Sequence, residues 1–439
     1  MAQRIAAALL AAVIVSGAPL ALGAPADEVR ALLEQGRSKE AYELASRHPE
    51  ELGKPDFDFY FGIAAVDSGH AGQGVLALER YIVRFPDNDR ARLELARAYY
   101  VLGELARARD EFETVSRRKP PAEVQATIER FMDSIRAQET RYQTSASFYV
   151  ELGGGYDSNV NSGVGNPVIS VPTLGVVQLA QIGARSADSF LWLAAGGQFS
   201  QPVAPGIALV AGANAEGKLH SDKFDQQFDQ VGALVYGGAS YLRERNLVRA
   251  TLSLSTLYVD YDRFREAATF GAEWHRQLDE FNTASVFAQY ALLEYPVSPV
   301  RDSDFFGLGA GWRRAFLGRM QPVFQVQALY GQERNQAEPV RNDLSRDLYT
   351  LRGGLSLTPA VRWGLSLGLS YTKSRFDEAD PLFLERRDDD YYGVDIGVSY
   401  RLTRQLSLRA DYLYAENRSN IALYEYSRDV ISLRVRYEM

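Results

Sequence analysis

From residue 145 to residue 439, apolar and polar residues alternate in fourteen stretches, and the segments joining them run alternately short and long. Strand side chains point to opposite faces with a period of two, so each stretch has one greasy and one wet face. Near the C-terminus Leu365, Leu367, Leu369 and Tyr371 oppose Ser366, Gly368, Ser370 and Thr372. Tyr392, Val394, Ile396, Val398 and Tyr400 oppose Asp395, Gly397, Ser399 and Arg401, and Leu406, Leu408, Ala410, Tyr412 and Tyr414 oppose Ser407, Arg409 and Asp411. A greasy outside and a polar lumen are what an antiparallel transmembrane β-barrel requires, with short periplasmic turns and longer external loops. Short turns are expected at 201–206, 243–246, 277–280, 317–319, 358–362 and 402–405. Longer loops are expected at 156–185, 220–229, 260–265, 295–303, 333–346, 375–389 and 416–427. Six turns and seven loops make fourteen strands, both ends of the barrel lying on the periplasmic side.

A chain of 439 residues has room for a second domain, and composition marks one. Ala, Glu and Arg dominate 25–143, whereas Gly, Tyr and Leu crowd 145–439. The mean hydropathy of −0.23 excludes a bundle of membrane helices but not a barrel, half of whose strand residues are polar. No apolar run long enough for a transmembrane helix occurs after residue 24. Residues 1–23 have the layout of a secretory signal peptide: a basic Arg4, an apolar stretch from Ile5 to Val15, and small Ala21 and Gly23 before a cut expected after Gly23. The chain has no Cys, which excludes disulfides, thiolate metal sites, cysteine nucleophiles and lipidation. A net charge of −8 argues against a nucleic-acid partner.

Residues 55–121 match themselves at a spacing of 34: Gly69 with Gly103, Pro86 with Pro120, and Gly62 with Ala96. Leu95, Tyr99, Gly103, Ala108, Phe112 and Pro120 fall where a tetratricopeptide repeat places its helix-packing residues. A shortened hairpin around Leu32, Gly36, Ala41, Ala45 and Pro49 makes a third unit, and Val124, Ile128, Phe131 and Ile135 give a capping helix. The domain at 25–143 is therefore an all-α solenoid. Its inner face is expected to carry Phe59, Ile63, Val66, Asp67, Leu93, Arg97 and Tyr100; of these Ile63 and Leu93 are better explained by packing inside the solenoid. Phe59, Asp67, Arg97 and Tyr100 are the candidate client contacts, since Tyr and Arg dominate contact energies at interfaces.

Tetratricopeptide repeats followed by a fourteen-strand barrel that opens with GYDSNVNSG (155–163) resemble the surface lipoprotein assembly modifier family. The segment Gly155, Tyr156, Asp157, Ser158, Asn159, Val160, Asn161 carries most of the resemblance. The resemblance implies a periplasmic helical domain that receives a secreted protein or surface lipoprotein, and a barrel that helps pass this client to the cell surface. It also implies outer-membrane lipid and the barrel assembly machinery as partners. Ile431, Leu433, Val435, Tyr437 and Met439 look like the C-terminal assembly signature of such barrels, with Met where Phe or Trp is usual. The tether around 138–146 spans roughly 30 Å at most.

No catalytic, cofactor or metal set is expected. His220, Ser221 and Asp222 are adjacent on an extended segment, so their side chains diverge and make no triad. His275 belongs near the periplasmic end of its strand, far from His220 at the external rim. Asp157, Asn159 and Asn161 have calcium-loop spacing, but Ser162 replaces the required Gly and Val168 the closing Glu. Two readings of 155–161 stand side by side, a polar turn that caps the first hairpin and a part of the client path. Asp388, Asp389 and Asp390 read as a solvated run, and Tyr258, Tyr371, Tyr412 and Tyr437 as girdle residues. Glu151, Glu216, Lys218, Arg352, Arg409, Asp411, Arg434 and Arg436 are expected to pair inside the lumen. Protein translocation without catalysis is the leading expectation; an exopolysaccharide export pore and an outer-membrane hydrolase are its rivals. The first loop either folds inward or covers the external mouth.

Overall fold

A computed structural model describes residues 24–139, 143–279, 281–316 and 320–439. The signal-peptide reading at 1–23 and the turn at 317–319 lie outside these. The chain divides into two compact units, one ending at Glu139 and one beginning at Thr140.

Among the described residues the first unit holds α1 (Pro25–Glu34), α2 (Ser38–Ser46), α3 (Pro55–Asp67), α4 (Ala71–Arg84), α5 (Asp89–Leu102), α6 (Leu105–Arg117) and α7 (Ala122–Glu139). Proline opens α1 and α3, where its missing N–H costs nothing. Asn88 caps α5, its side-chain oxygen accepting the Ala91 N–H at 3.1 Å. Gly69 and Gly103, one repeat apart, follow α3 and α5 at φ of 88° and 78°, a region L side chains avoid. The aligned small residues let paired helices touch: a Cβ on Gly62 would lie 2.6 Å from Leu78 Cγ. Leu78, Leu95, Phe112, Val115, Ile128 and Ile135 share one core, so α7 closes the stack with Ile128 and Ile135. Burying each of these side chains contributes about 1.5–3 kcal/mol.

The second unit is a closed antiparallel barrel. Its fourteen strands among the described residues are β1 (Ser145–Asp157), β4 (Asp188–Ala204), β5 (Ile207–His220), β6 (Gln230–Arg243), β7 (Asn246–Val259), β8 (Asp262–Gln277), β9 (Asn282–Glu294), β10 (Ser303–Ala315), β11 (Val323–Asn335), β12 (Arg346–Ala360), β13 (Trp363–Ala379), β14 (Arg386–Arg401), β15 (Leu406–Ser419) and β16 (Tyr426–Glu438). Each pairs with its sequence neighbour, and β1 closes on β16 from Tyr149 opposite Glu438 to Asp157 opposite Val430. A small hairpin, β2 (Val168–Val171) with β3 (Gly175–Gln178), sits in the first long loop.

The long loop expected at 260–265 is not there. Only Asp260 and Tyr261 separate β7 from β8, at φ of 53° and 63°, a two-residue hairpin turn. Phe264 is an extra residue between the pairs Leu257–Arg265 and Tyr258–Arg263, and this bulge breaks the alternation that marks a strand. The loops expected at 375–389 and 416–427 shrink to 380–385 and 420–425, because the strands run on past the apolar band.

The outer face is apolar from strand to strand. Leu252, Leu308, Leu351, Leu369 and Leu433 all project outward and are exposed. Soluble proteins rarely leave so large a continuous apolar surface uncovered, and lipid is its natural solvent. Tyrosines near the long-loop end anchor that face to water: the hydroxyls of Tyr290, Tyr371 and Tyr412 donate to Asp304, Asp390 and Asp429 at 2.6, 2.6 and 2.8 Å. At the short-turn end Trp363 packs against Tyr400 with ring centroids 4.8 Å apart.

Candidate functional site

The segment that opens the first loop binds the two ends of the barrel together. Gly155 points inward on β1, and a Cβ there would meet the Phe190 ring of β4 at 2.7 Å. With that space free, Phe190 lies beneath Lys218, whose ammonium is 4.5 Å from the ring centroid. Two residues on, Asp157 is fully buried. Its carboxylate accepts from Arg428 of β16 (Nε at 3.0 and 3.1 Å, Nη2 at 2.5 Å), from Lys218 of β5, and from the Asn159 N–H at 3.0 Å. Burying a carboxylate is unfavourable unless it is paired and hydrogen-bonded, and here both conditions are met.

Backbone contacts extend the same lock. The Ser158 N–H donates to the Asp429 carbonyl at 2.9 Å, and the Asp429 N–H returns to Ser158 Oγ at 2.8 Å. Asn159 Nδ2 donates to the Ser427 and Gly163 carbonyls at 2.9 Å each, and Asn159 Oδ1 accepts the Gly163 N–H at 2.8 Å. Asn161 Nδ2 reaches the carbonyls of Ile182 and Ala184 at 2.8 and 2.6 Å, tying the two arms of the loop. Tyr156 faces outward and is exposed. The calcium-like spacing is thus occupied by protein donors. Among the described residues no group of three or more His, Cys, Asp or Glu side chains is placed to hold a metal ion.

The first loop packs onto the long-loop rim of the barrel. Ile169 and Val171 of its hairpin are buried with Phe383 and Ile421, which belong to the loops after β13 and β15. Thr173 Oγ1 donates to the Leu382 carbonyl at 2.9 Å. Three successive long loops therefore share one apolar knot beside the β1–β16 seam.

The solenoid positions are less open than periodicity implies. Phe59 is only 7% exposed and is covered by Tyr60, Tyr81 and Arg90, which corrects its place among the candidate contacts. Arg97 pairs with Asp67 at 2.5 Å and Glu94 at 2.8 Å, so two candidates neutralise each other. Burial alone would lower the Arg97 pKa, but Glu94 and Asp67 outweigh it and hold the guanidinium above its ordinary value. Tyr100 is half-buried, its ring 5.3 Å from Phe131 of α7 in an edge-on contact. A groove of about 330 Å³ between α2 and α4, lined by Tyr42, Leu52, Phe61, Gln73 and Leu76, was not evident from the repeat pattern. Leu52 and Leu76 are exposed in it, which the sequence alone does not reveal.

Inside the barrel most of the expected charges find partners. Glu151 takes Arg434 at 3.2 Å and Arg436 at 3.8 Å, and Arg409 pairs with Asp411 at 2.7 Å. Glu216 and Arg352 have no ion-pair partner within 4.0 Å among the described residues. His220 is buried, with Nδ1 3.0 Å from Asp229, and His275 lies 2.9 Å from Glu273. Ser221 Oγ donates instead to the Ser189 carbonyl at 3.1 Å.

Two families match parts of the chain: tetratricopeptide repeat over residues 65–130, and putative beta-barrel porin 2 over residues 357–439. No curated protein is similar enough to match. Among solved structures, a Pseudomonas aeruginosa FadL homologue is 11% identical, with 67% of this chain and 89% of that one covered and a TM-score of 0.37. OmpT of Vibrio cholerae, expressed in the outer membrane, is 11% identical over 67% and 98% of the two chains, with a TM-score of 0.39. The Yersinia enterocolitica type III secretion translocator chaperone SycD is 12% identical over 26% and 83%, with a TM-score of 0.24. The chain is a tetratricopeptide-repeat domain followed by a fourteen-strand β-barrel of the outer-membrane type.

Proposed function

We propose that this protein is an outer-membrane translocator whose helical domain stands in the periplasm, captures a secreted protein or surface lipoprotein, and delivers it to a barrel that aids its passage to the cell surface. The observation that carries the reading is the joining, in one chain, of a repeat solenoid to the short-turn end of a closed barrel. Only residues 140–144 lie between Glu139 and Ser145. So short a link keeps a captured client at high effective concentration beside the pore mouth. Short turns mark the periplasmic side in barrels of this kind, which supports a periplasmic helical domain.

Capture falls to Arg97 and Tyr100 on the inner face and to the apolar groove at Leu52 and Leu76. The reading needs no catalytic step, cofactor or metal: the chain is a conduit, and client folding outside supplies the direction. Its further partners are outer-membrane lipid and the barrel assembly machinery. The test is to delete the gene and compare the surface-exposed and secreted proteins of the two strains. Loss of one or a few proteins from the surface, with their retention in the periplasm, is expected. An unchanged protein profile would contradict the reading, and loss of a surface glycan alone would favour polysaccharide export.

A further inference from the structure

The lumen contains a recess of about 440 Å³ along the wall from β7 to β12. Glycines of β10 make room for the side chains that line it. A Cβ at Gly309 would overlap the Phe287 ring, and one at Gly311 would lie 2.7 Å from Ser285 Oγ and 3.1 Å from Gln327 Cγ. With these positions free, Phe287 folds flat over β10 and remains half-exposed toward the lumen. Gln289, Gln327, Leu329, Thr350 and Arg352 line one side of it, and Thr251, Glu273, His275 and Ser285 are also in the lining.

Arg352 is set apart by its charge environment. It is exposed inside the barrel, and no carboxylate lies within 4.0 Å of it among the described residues. The carboxylate across the recess, Glu273, is already neutralised by Arg249 at 3.2 Å and faces His275 at 2.9 Å. The Thr350 hydroxyl is engaged with Thr372 at 2.9 Å, whereas Gln327 sits opposite Arg352 in the strand register. From Gly309, under the aromatic ring, to Arg352 is two strand spacings and two residues, roughly 12 Å of wall. An arginine side chain and one ring-sized body fill that span.

We propose that this recess binds a small organic carboxylate with an apolar body. Arg352 takes the carboxylate in a two-pronged hydrogen bond, Gln327 and Gln289 orient it, and Phe287 packs against the body. The volume falls in the range that encloses a small molecule. An unpaired guanidinium is the group best matched to carboxylate geometry. This inference stands independently of the client reading, since a translocator needs no such pocket.

The test is calorimetric titration of the full-length protein in detergent with benzoate, and with benzamide as its neutral counterpart. Benzoate is expected to bind saturably and more tightly than benzamide. Arg352→Gln is expected to weaken benzoate about tenfold or more while leaving benzamide within about twofold. Phe287→Ala is expected to weaken both. Arg352→Lys, which keeps the charge but loses the fork, is expected to fall between, and it probes the same site should Arg352→Gln fail to assemble. Equal affinity for the two probes, no saturable benzoate binding, or unchanged benzoate affinity in Arg352→Gln or Arg352→Lys would overturn the proposal.

Discussion

Replacing Asp157 with Ala removes the carboxylate that holds Arg428 and Lys218 at the closing seam. The side chain of Lys218 is 10% exposed and that of Arg428 23%, so neither cation can recover its hydration without local opening. Breaking a buried pair from one side costs about 3–5 kcal/mol, and two stranded cations put this substitution near the upper end, roughly 5 kcal/mol. Arg428→Ala leaves the contact between Asp157 and Lys218 intact and should cost about 2 kcal/mol, the worth of a charged hydrogen bond. Asp157→Asn combined with Lys218→Met removes both a charge and its partner. That double variant should lose less than the sum of the single losses, by about 2 kcal/mol or more. The assay is urea unfolding of the protein folded into phospholipid vesicles, followed by tryptophan fluorescence. All four Trp lie in the barrel, so the signal ignores the helical domain. A loss below about 1 kcal/mol for Asp157→Ala, or strict additivity in the double variant, would refute the seam-lock reasoning.

Other substitutions test other parts of the molecule. In the solenoid, Asp58 is buried and takes Arg80 at 2.7 and 3.0 Å, whereas the Arg80 side chain is 44% exposed; Arg80→Ala should cost more than Asp58→Ala, about 3 against about 1.5 kcal/mol in thermal unfolding of the helical domain, because only the first strands a buried charge. Phe112→Ala should cost about 3–5 kcal/mol in the same measurement by opening a cavity in the core shared with α7. At the rim, Ile169→Asp should free the first-loop hairpin and make 166–180 cleavable by protease in intact cells, while the barrel keeps its heat-modifiable mobility on gels. The loop at 336–345 should respond to acid. Its Asp343 is held below the ordinary carboxylate range by hydrogen bonds from Arg341 at 2.6 Å. A depressed folded pKa stabilises above the unfolded value of about 3.9 and is lost as pH falls through the folded value. Amide exchange in this loop should therefore be flat from about pH 7 to 5 once corrected for intrinsic rates, and rise only below about pH 4.

Period-two alternation over 145–439, with connections alternately short and long, was enough to read the barrel, its strand count and which face meets lipid, because the pleat and the lipid boundary act on every residue alike. Above the apolar band that boundary disappears. Arg375, Asp377, Arg386 and Asp388 are strand residues wet on both sides, so they read as loop. At Phe264 a single bulged residue inverted the parity and hid a tight turn. The repeat spacing of 34 located the solenoid and its small packing residues, yet not which inner-face charges would pair with each other, as Arg97 and Asp67 do. The role of Asp157 was beyond any local pattern: its partner Arg428 is 271 residues away, and only closure of the sheet brings them together. The lumenal recess was hidden for the same reason, since its lining is drawn from strands that share no sequence motif.

The central claim is that lipid surrounds a closed cylinder with a wet interior. The chain has no Cys, so single cysteines can be introduced and spin-labelled without background. Labels at Leu252 and Leu433, which point outward, and at Thr251 and Gln325, which point inward, should be compared in vesicles for collision with oxygen and with a water-soluble nickel chelate. Oxygen should dominate at Leu252 and Leu433 and the nickel chelate at Thr251 and Gln325. Equal access of the nickel chelate to all four positions would contradict the account.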